Sequence, residues 1–293
     1  MLKTKAVDLL KIRNFTKYTI FNSRRIIMRK YIFMVILITA WIVFSFSTLS
    51  ASNTDIVNIG FNISEENQRK EVISSDEKLR WNKTFGGSND DYLHSLIQTD
   101  EGSYVITGET SSYGAGKADI WIIKLDSKGN KLWDKTFGGV DDDWINSLIQ
   151  TDDGGYVLVG KTYSFGAGEG DAWIIKLDSE GNKIWDRIFG GSNNDSAYLL
   201  IQTDDGGLAV AGYTFSYSAG RADFWLIKLD NRGNKLWERT FGGSNEDSVR
   251  SLIQTDDGGY VLAGITFSFG AGEGDFWIIK LDEKGNLESA PEK

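Results

Sequence analysis

Apolar and polar residues recur in the same order every 52 positions along most of this chain. The clearest marker of the period is one tryptophan per copy: Trp81, Trp133, Trp185 and Trp237. The surrounding residues match without gaps, and the copies together cover about 79–287. Self-similarity at a period near 50 residues indicates a propeller, a solenoid or an array. Residues shared by all copies are expected to build the repeat, so we look for function where the copies differ.

Each copy predicts four short β-strands. In the first copy they are 92–99, 104–110, 119–126 and 130–137, rich in β-branched and aromatic residues and separated by Gly, Asp and Asn. The second and third strands are nearly continuous apolar runs, which need cover on both faces. The fourth alternates charged with apolar residues, as an exposed edge does. This order predicts blades with the first strand innermost, stacked into an all-β β-propeller.

The two ends of the repeat region predict how the ring closes. Residues 79–86 form a fourth strand with no inner strands before it, and the last copy reaches 287 without a fourth strand. We therefore expect 79–86 to complete the last blade and close a ring of four four-stranded blades. Two alternatives stay open: an open arc of four blades, and a homodimer in which two chains build an eight-blade ring.

Two motifs carry a family resemblance. The run Thr-Phe-Gly-Gly-Ser with a following Asp-Gly-Gly-Tyr is similar to the β-propeller repeats of microbial cell-surface and secreted proteins. The stretch 123–133, Ile-Lys-Leu-Asp-Ser-Lys-Gly-Asn-Lys-Leu-Trp, resembles the tryptophan-docking hairpin of quinoprotein-type propellers. The resemblance covers about 79–287 and implies the fold, with a surface or scaffold role. The cofactor-binding residues of quinoproteins have no match here, so it implies no quinone cofactor.

The segment before the repeats has a different chemistry. Residues 1–30 are basic and are expected to be cytoplasmic, and 31–52 are apolar enough for a helical signal peptide or transmembrane anchor. Both alternatives place the repeats outside the cytoplasm, secreted or anchored at the cell surface. Residues 53–78 read as a polar linker and 288–293 as a tail.

Composition removes several classes of function. The chain has no cysteine, which excludes disulfides, thiol nucleophiles and cysteine-based zinc sites. Its net charge is −9, and the repeats are more acidic than that because the first 30 residues are basic. An acidic body argues against a nucleic-acid partner, since phosphate binding needs a basic surface.

Two aspartates recur in every copy beside glycine-rich loops. Oxygen-rich loops of this kind are candidates for Ca²⁺, the one cofactor that the sequence suggests. The alternative is that each carboxylate accepts hydrogen bonds from nearby backbone amides and fixes a turn. The spacing of the acidic residues matches no known calcium-binding loop, which favours this alternative. The candidate positions are Asp91, Asp119, Asp143, Asp171, Asp195, Asp223, Asp247 and Asp275.

Enzymatic chemistry has little support in the pattern. Glycoside hydrolysis needs one acid and one base in different environments, whereas near-identical copies give near-identical environments. The only histidine is His94, so no Ser-His-Asp set is available. The expectation is a non-catalytic propeller that binds an extracellular protein or glycan. A polysaccharide-acting enzyme and a purely structural envelope spacer remain as alternatives.

The copies differ most where the innermost strands and adjacent loops would meet a partner. One position of the first strand reads His94, Asn146, Tyr198 and Arg250, while the neighbouring leucines stay constant. Trp144 stands where later copies have serine, and one loop position reads Lys117, Glu169, Arg221 and Glu273. Free drift of exposed positions would give similar variation. The hypothesis is that these side chains form the recognition surface.

Overall fold

The computed structural model describes residues 80–287. The N-terminal segments predicted over 1–30, 31–52 and 53–78, including the hydrophobic helix, and the tail 288–293 lie outside the described residues. Within 80–287 the regular structure consists of strands alone, and no helix there is long and apolar enough to cross a membrane.

Fifteen strands follow one another in the order of the repeats. Blade 1 comprises β1 (Asp91–Gln98), β2 (Tyr104–Thr110), β3 (Asp119–Leu125) and β4 (Lys131–Phe137). Blade 2 comprises β5 (Asp143–Gln150), β6 (Tyr156–Thr162), β7 (Asp171–Leu177) and β8 (Lys183–Phe189). Blade 3 comprises β9 (Asp195–Gln202), β10 (Leu208–Thr214), β11 (Asp223–Leu229) and β12 (Lys235–Phe241). Blade 4 comprises β13 (Asp247–Gln254), β14 (Tyr260–Thr266) and β15 (Asp275–Leu281).

Every blade is an antiparallel meander in which each strand pairs with its sequence neighbours. The innermost strands β1, β5, β9 and β13 lie next to one another in succession, and the charged β4, β8 and β12 form the outer edges. The strand limits agree with the predicted ones within one residue in blade 1. The all-β fold built from β-propeller blades is therefore confirmed.

The hydrophobic core lies between the blades. Ile120 and Ile122 of blade 1 pack on Ile145 and Leu148 of blade 2, and equivalent clusters join blade 2 to blade 3 and blade 3 to blade 4. The residues of these clusters are nearly all removed from water, which is the main favourable contribution to folding. Each blade thus covers one face of the next.

Each outer-strand tryptophan reaches forward onto the blade that follows it. Trp133 of β4 lies against Tyr156, with ring centroids 6.1 Å apart, and covers Gly181 of the β7–β8 hairpin. Trp81 makes the equivalent contacts with blade 1, where its ring meets Tyr104 and covers Gly129, and its indole N–H also donates to Ser127 O at 3.2 Å. The docking hairpin suggested by the sequence therefore joins neighbouring blades.

The predicted closure of the ring is not present. Blade 4 has three strands, and residues 80–87 pair with no strand in the described part of the chain. Instead, Trp81 and Phe85 pack on blade 1, where the outer strand of a preceding blade would lie. The physical reason is that tryptophan docking ties this segment to the blade after it, whatever stands before it. The observed arrangement is the open four-blade arc.

The loop aromatics pack within their own blades. One such residue per copy contacts the tryptophan of the third strand at ring-centroid distances of 5.1–5.9 Å: Tyr113, Phe165, Tyr217 and Phe269. The contact is local because β2 and β3 bring the loop back over the tryptophan that follows it.

Candidate functional site

The recurring aspartates meet in pairs across each blade boundary. Asp119 at the start of β3 accepts backbone N–H bonds from Ala115 at 2.7 Å and Gly116 at 3.2 Å. Asp143 at the start of β5 accepts Gly139 N–H at 2.8 Å. Both carboxylates border Gly138, where a methyl group would lie 1.6 Å from Asp119 Oδ1 and 2.9 Å from Asp143 Oδ2. Only glycine fits at so close an approach.

The same arrangement recurs twice more, with Asp171 facing Asp195 and Asp223 facing Asp247. Burial raises the pKa of Asp171, and the facing carboxylate of Asp195 raises that pKa further. Burial and Asp247 raise the pKa of Asp223 in the same way. One carboxylate oxygen in several of these residues lacks a hydrogen-bond partner among the described atoms: Asp119 Oδ1, Asp143 Oδ1, Asp223 Oδ1 and Asp247 Oδ1.

These hydrogen bonds match the turn-fixing alternative for the aspartates. The six paired members are at most 2% exposed, so they lie beneath the loops that they hold. Within residues 80–287, three or more histidine or acidic side chains do not come together as a metal-binding group. Asp91 and Asp275 at the two ends have no opposite member and are less buried. Calcium binding by these residues stays a prediction.

The variable position of the innermost strands is a β-bulge in every blade. The pairing of β1 with β2 skips one residue between Leu93 and Ser95, and the other three blades skip the equivalent residue. The bulged residues are the four singled out from the sequence: His94, Asn146, Tyr198 and Arg250. A bulge redirects a side chain out of the regular ladder and is over-represented next to active sites.

The first two bulge residues differ in what they contact. His94 is exposed and lies 3.6 Å from the Glu109 carboxylate on the neighbouring β2. Asn146 Nδ2 donates to Ala197 O of the next innermost strand at 2.8 Å. Asn146 therefore ties blades 2 and 3 together, whereas His94 contacts only its own blade and its side chain stays exposed.

An aromatic and cationic group lies beside Asn146 on blade 2. The exposed Trp144 meets Tyr163 edge-on, with ring centroids 5.2 Å apart. Lys161 Nζ is 4.4 Å from the centre of the Tyr163 ring, donates to the Tyr163 hydroxyl at 2.8 Å and also bonds Asn194 Oδ1. Because Lys161 is buried and held at these points, it fixes the position of the Tyr163 ring, on which Trp144 packs.

Tyrosines continue this surface across blade 3. Tyr198 lies 5.4 Å from Tyr213, whose ring meets Phe215 at 5.6 Å, and the exposed Arg250 follows on blade 4. Burial raises the pKa of both the Tyr198 and the Tyr213 hydroxyls. Both hydroxyls are therefore neutral at physiological pH and can donate as well as accept hydrogen bonds. We name six side chains the inner-strand surface: His94, Trp144, Tyr163, Tyr198, Tyr213 and Arg250.

The variable loop residues stand at the strand edge that carries the aspartates. Asp91, Thr110 and Asp119 are at one level in the registers of blade 1, so the β2–β3 loop opens at that edge. Lys117 in this loop lies 2.9 Å from Asp141 of the next blade boundary, which raises the pKa of Lys117. Its equivalents are exposed: Glu169, Arg221 and Glu273.

A second variable set, which the sequence-based predictions did not include, lies on β2 and its equivalents. Glu109 faces Tyr92 in the register of blade 1, and Lys161 faces Trp144 in blade 2. The set reads Glu109, Lys161, Tyr213 and Ile265. The comparison of copies that found the bulge position would also have found this one, because its residues share neither charge nor shape.

No protein-family model matches the sequence. A curated relative, the regulatory protein FlaEY of Caulobacter vibrioides, is 26% identical over 192 residues. The match covers 58% of this chain and 19% of FlaEY, so the chain spans about a fifth of that protein's length.

Several solved structures are similar in fold. The β-propeller domain of the trilobed protease from Pyrococcus furiosus, which has an open velcro topology, is 16% identical with a TM-score of 0.40, covering 72% of this chain and 59% of that one. Endo-1,5-α-L-arabinanase from Thermotoga petrophila is 16% identical with a TM-score of 0.35, covering 70% and 60%. The PQQ domain of pyranose dehydrogenase from Coprinopsis cinerea is 12% identical with a TM-score of 0.37, covering 70% and 54%. The fold assignment rests on the strand pairing and blade packing of this chain itself.

Proposed function

We propose that this chain is an extracytoplasmic binding propeller whose inner-strand surface recognises a glycan, with a protein as the other partner class. The observation that carries the proposal is the contrast between blades. Their frame is nearly identical, while the residue at each bulge is different. Constant backbone with varied polar and aromatic side chains is the pattern of a recognition surface on a rigid scaffold.

A glycan is favoured by the chemistry of the surface. Trp144 and Tyr163 expose aromatic rings, and aromatic rings give apolar area together with defined geometry. His94, Tyr198 and Arg250 stand at the equivalent bulges of the other three blades and add hydrogen-bonding groups to the inner-strand surface. A sugar has apolar C–H faces edged by hydroxyl groups, so it suits rings and polar groups side by side.

The second candidate is a glycoside hydrolase, because a carboxyl group with a raised pKa suits a general acid, and Asp171 and Asp223 have raised pKa values and each faces a second aspartate. These carboxyl groups are buried and bonded to loop amides, which leaves substrate little access. Binding therefore ranks first.

The test is a glycan array probed with the purified full chain and with a triple variant, His94→Ala, Tyr198→Ala and Arg250→Ala. Three lost hydrogen bonds at about 1 kcal/mol each should weaken binding roughly 100-fold. The matched control changes three exposed outer-strand residues, Leu132→Ala, Ile184→Ala and Leu236→Ala, and should bind as the parent does.

Retention of the same glycans by the triple variant would refute the inner-strand surface as the binding site. Release of shorter saccharides from a polysaccharide panel would favour the hydrolase. Absence of both glycan binding and turnover would refute the glycan and favour a protein partner or a structural spacer.

A further inference from the structure

The two end faces of the arc are the separated halves of one interface. At each internal boundary, two apolar residues of a third strand pack on two apolar residues of the next innermost strand. Blade 3 offers Phe224 and Leu226, and both are fully buried under Val249 and Leu252 of blade 4. This contact occurs at all three internal boundaries.

On blade 4, the half of this interface that the third strand forms is uncovered within residues 80–287. Phe276 and Ile278 are the equivalents of Phe224 and Leu226, and they are 99% and 70% exposed. Large apolar side chains exposed together on one sheet face indicate an interaction site.

On blade 1, the half of this interface that the innermost strand forms is exposed. Leu93 and Leu96, the equivalents of Val249 and Leu252, are 63% and 59% exposed. They line a groove of about 620 Å³ together with Phe85, Tyr104 and Trp121. The groove has the position that the third strand of a preceding blade would fill.

The polar groups that join neighbouring blades also lie unpaired with each other at the two ends of the arc. The backbone N–H of Asp152 donates to Gln202 Oε1 of the next blade at 3.0 Å, and this bond recurs at every internal boundary. The fourth instance would join the Asp256 amide to Gln98, and both of these residues are exposed. Asp275 and Asp91 are likewise the two unpaired members of the aspartate series.

The free edge of β15 fits residues 80–86. In blade 1 the pairing of β3 with β4 places Lys135 opposite Ile122 and Trp133 opposite Lys124. Lys83 and Ile278 are the equivalents of Lys135 and Ile122, so the same register would place Lys83 opposite Ile278. In the first three blades the indole N–H of the third-strand tryptophan donates to an acidic side chain of the fourth strand at 3.1–3.2 Å. Asn82 takes that acidic position and would accept the bond from Trp277.

We propose that blade 4 of one chain packs on blade 1 of a second copy of this chain, with residues 80–86 of the second copy completing the sheet of blade 4. Each copy keeps its Trp81 docked on its own blade 1, so the segment needs no rearrangement. Two such contacts, related by a two-fold axis, close eight blades into one ring. A second copy is the favoured occupant because the two complementary faces belong to one chain and neither is covered by the described part of that chain.

Disulfide trapping tests the contact directly, since the chain contains no cysteine of its own. Full-length Lys83→Cys and Ile278→Cys variants, carrying tags of different size, are mixed in detergent and oxidised. A mixed disulfide between the two variants is expected. The control pairs Ile278→Cys with Ile184→Cys on an outer edge and should give none.

A chain carrying both Lys83→Cys and Ile278→Cys distinguishes closure within one chain. An internal disulfide in this chain, with no mixed product from the single variants, would overturn the proposal in favour of a four-blade ring. Absence of both products would overturn it as well.

The mass of the full chain gives a second readout. Light scattering should report a dimer, and Phe276→Glu should convert it to a monomer. Because the Phe276 side chain is fully exposed, the monomeric Phe276→Glu variant should unfold at the same temperature as the parent chain diluted until its dimer dissociates. The control Leu236→Glu should stay dimeric, and a parent chain that is monomeric at micromolar concentration would refute the contact.

Discussion

The contribution of tryptophan docking to stability can be measured by adding one methyl group beneath the Trp185 ring. Gly233 has a φ of 76°, and a Cβ atom there would lie 2.9 Å from Cε3 and Cζ3 of the Trp185 ring. Non-bonded carbon atoms sit about 3.5–4.0 Å apart, so the ring must move by roughly 0.6–1 Å. The matched control is Gly206, which has a φ of 78° and open space at its Cβ position.

Both alanine substitutions place a side chain in the left-handed region, at about 1–2 kcal/mol. Gly233→Ala also lifts the Trp185 ring, and uncovering roughly 50 Å² of apolar surface adds about 1.2 kcal/mol. Thermal unfolding should therefore show Gly233→Ala melting about 2–5 °C below Gly206→Ala, given about 2–4 °C per kcal/mol for a domain of this size. Equal melting temperatures would refute the view that docking on this hairpin stabilises the boundary.

Two further predictions concern charged groups. Because the folded state raises the pKa of Asp223, its stabilising contribution is present below the unfolded pKa and is lost as pH rises through the folded pKa. Asp223→Asn should thus unfold at a higher urea concentration than the parent at pH 7, and the difference should vanish near pH 3.5. A variant that unfolds at a lower urea concentration than the parent at pH 7 would contradict this. Lys176 is nearly buried and lies 2.7 Å from Asp153, whose pKa is lowered to about 2 by hydrogen bonds from Lys176 and Thr151 against the effect of burial. Asp153→Asn should lower the free energy of unfolding in urea by only about 1 kcal/mol, since Asp153 is largely exposed. The parent chain should lose the same stability as pH falls from about 4 towards 2. Lys176→Met should leave the free energy of unfolding nearly unchanged, and a larger loss from Lys176→Met than from Asp153→Asn would contradict this account of the pair.

Periodicity predicted the blade well because the strand pairings within each blade join residues that are close in the sequence. Antiparallel strands joined by short turns contact their sequence neighbours, so alternation and turn residues were enough to locate 104–110 as β2. Variation between copies likewise located the bulge residues such as Tyr198. The bulge also leaves a trace in the spacing of the core residues, since Val249 and Leu252 lie in one buried cluster although they stand an odd number of residues apart.

Closure was not predictable from the same signal. Every boundary uses the same contacts, so identical repeats do not reveal how many blades complete a turn. The sequence showed that residues 79–86 match an outer strand, but docking of Trp81 on blade 1 serves equally for any blade placed before it. The facing of Asp119 and Asp143 was missed for a related reason, because it joins two repeats and depends on their relative rotation.

The claim that the frame is constant while the bulge residues recognise a partner is tested most directly by making all four blades alike. A variant with His94→Asn, Tyr198→Asn and Arg250→Asn gives every innermost strand the residue of Asn146. Glycan-array binding and thermal unfolding are then measured on the same preparation of the full chain. We predict an unfolding temperature within about 2 °C of the parent, because exposed and half-buried bulge residues contribute little to the core, together with loss of the parent's bound glycans. An unchanged glycan profile on the uniform variant would contradict the account.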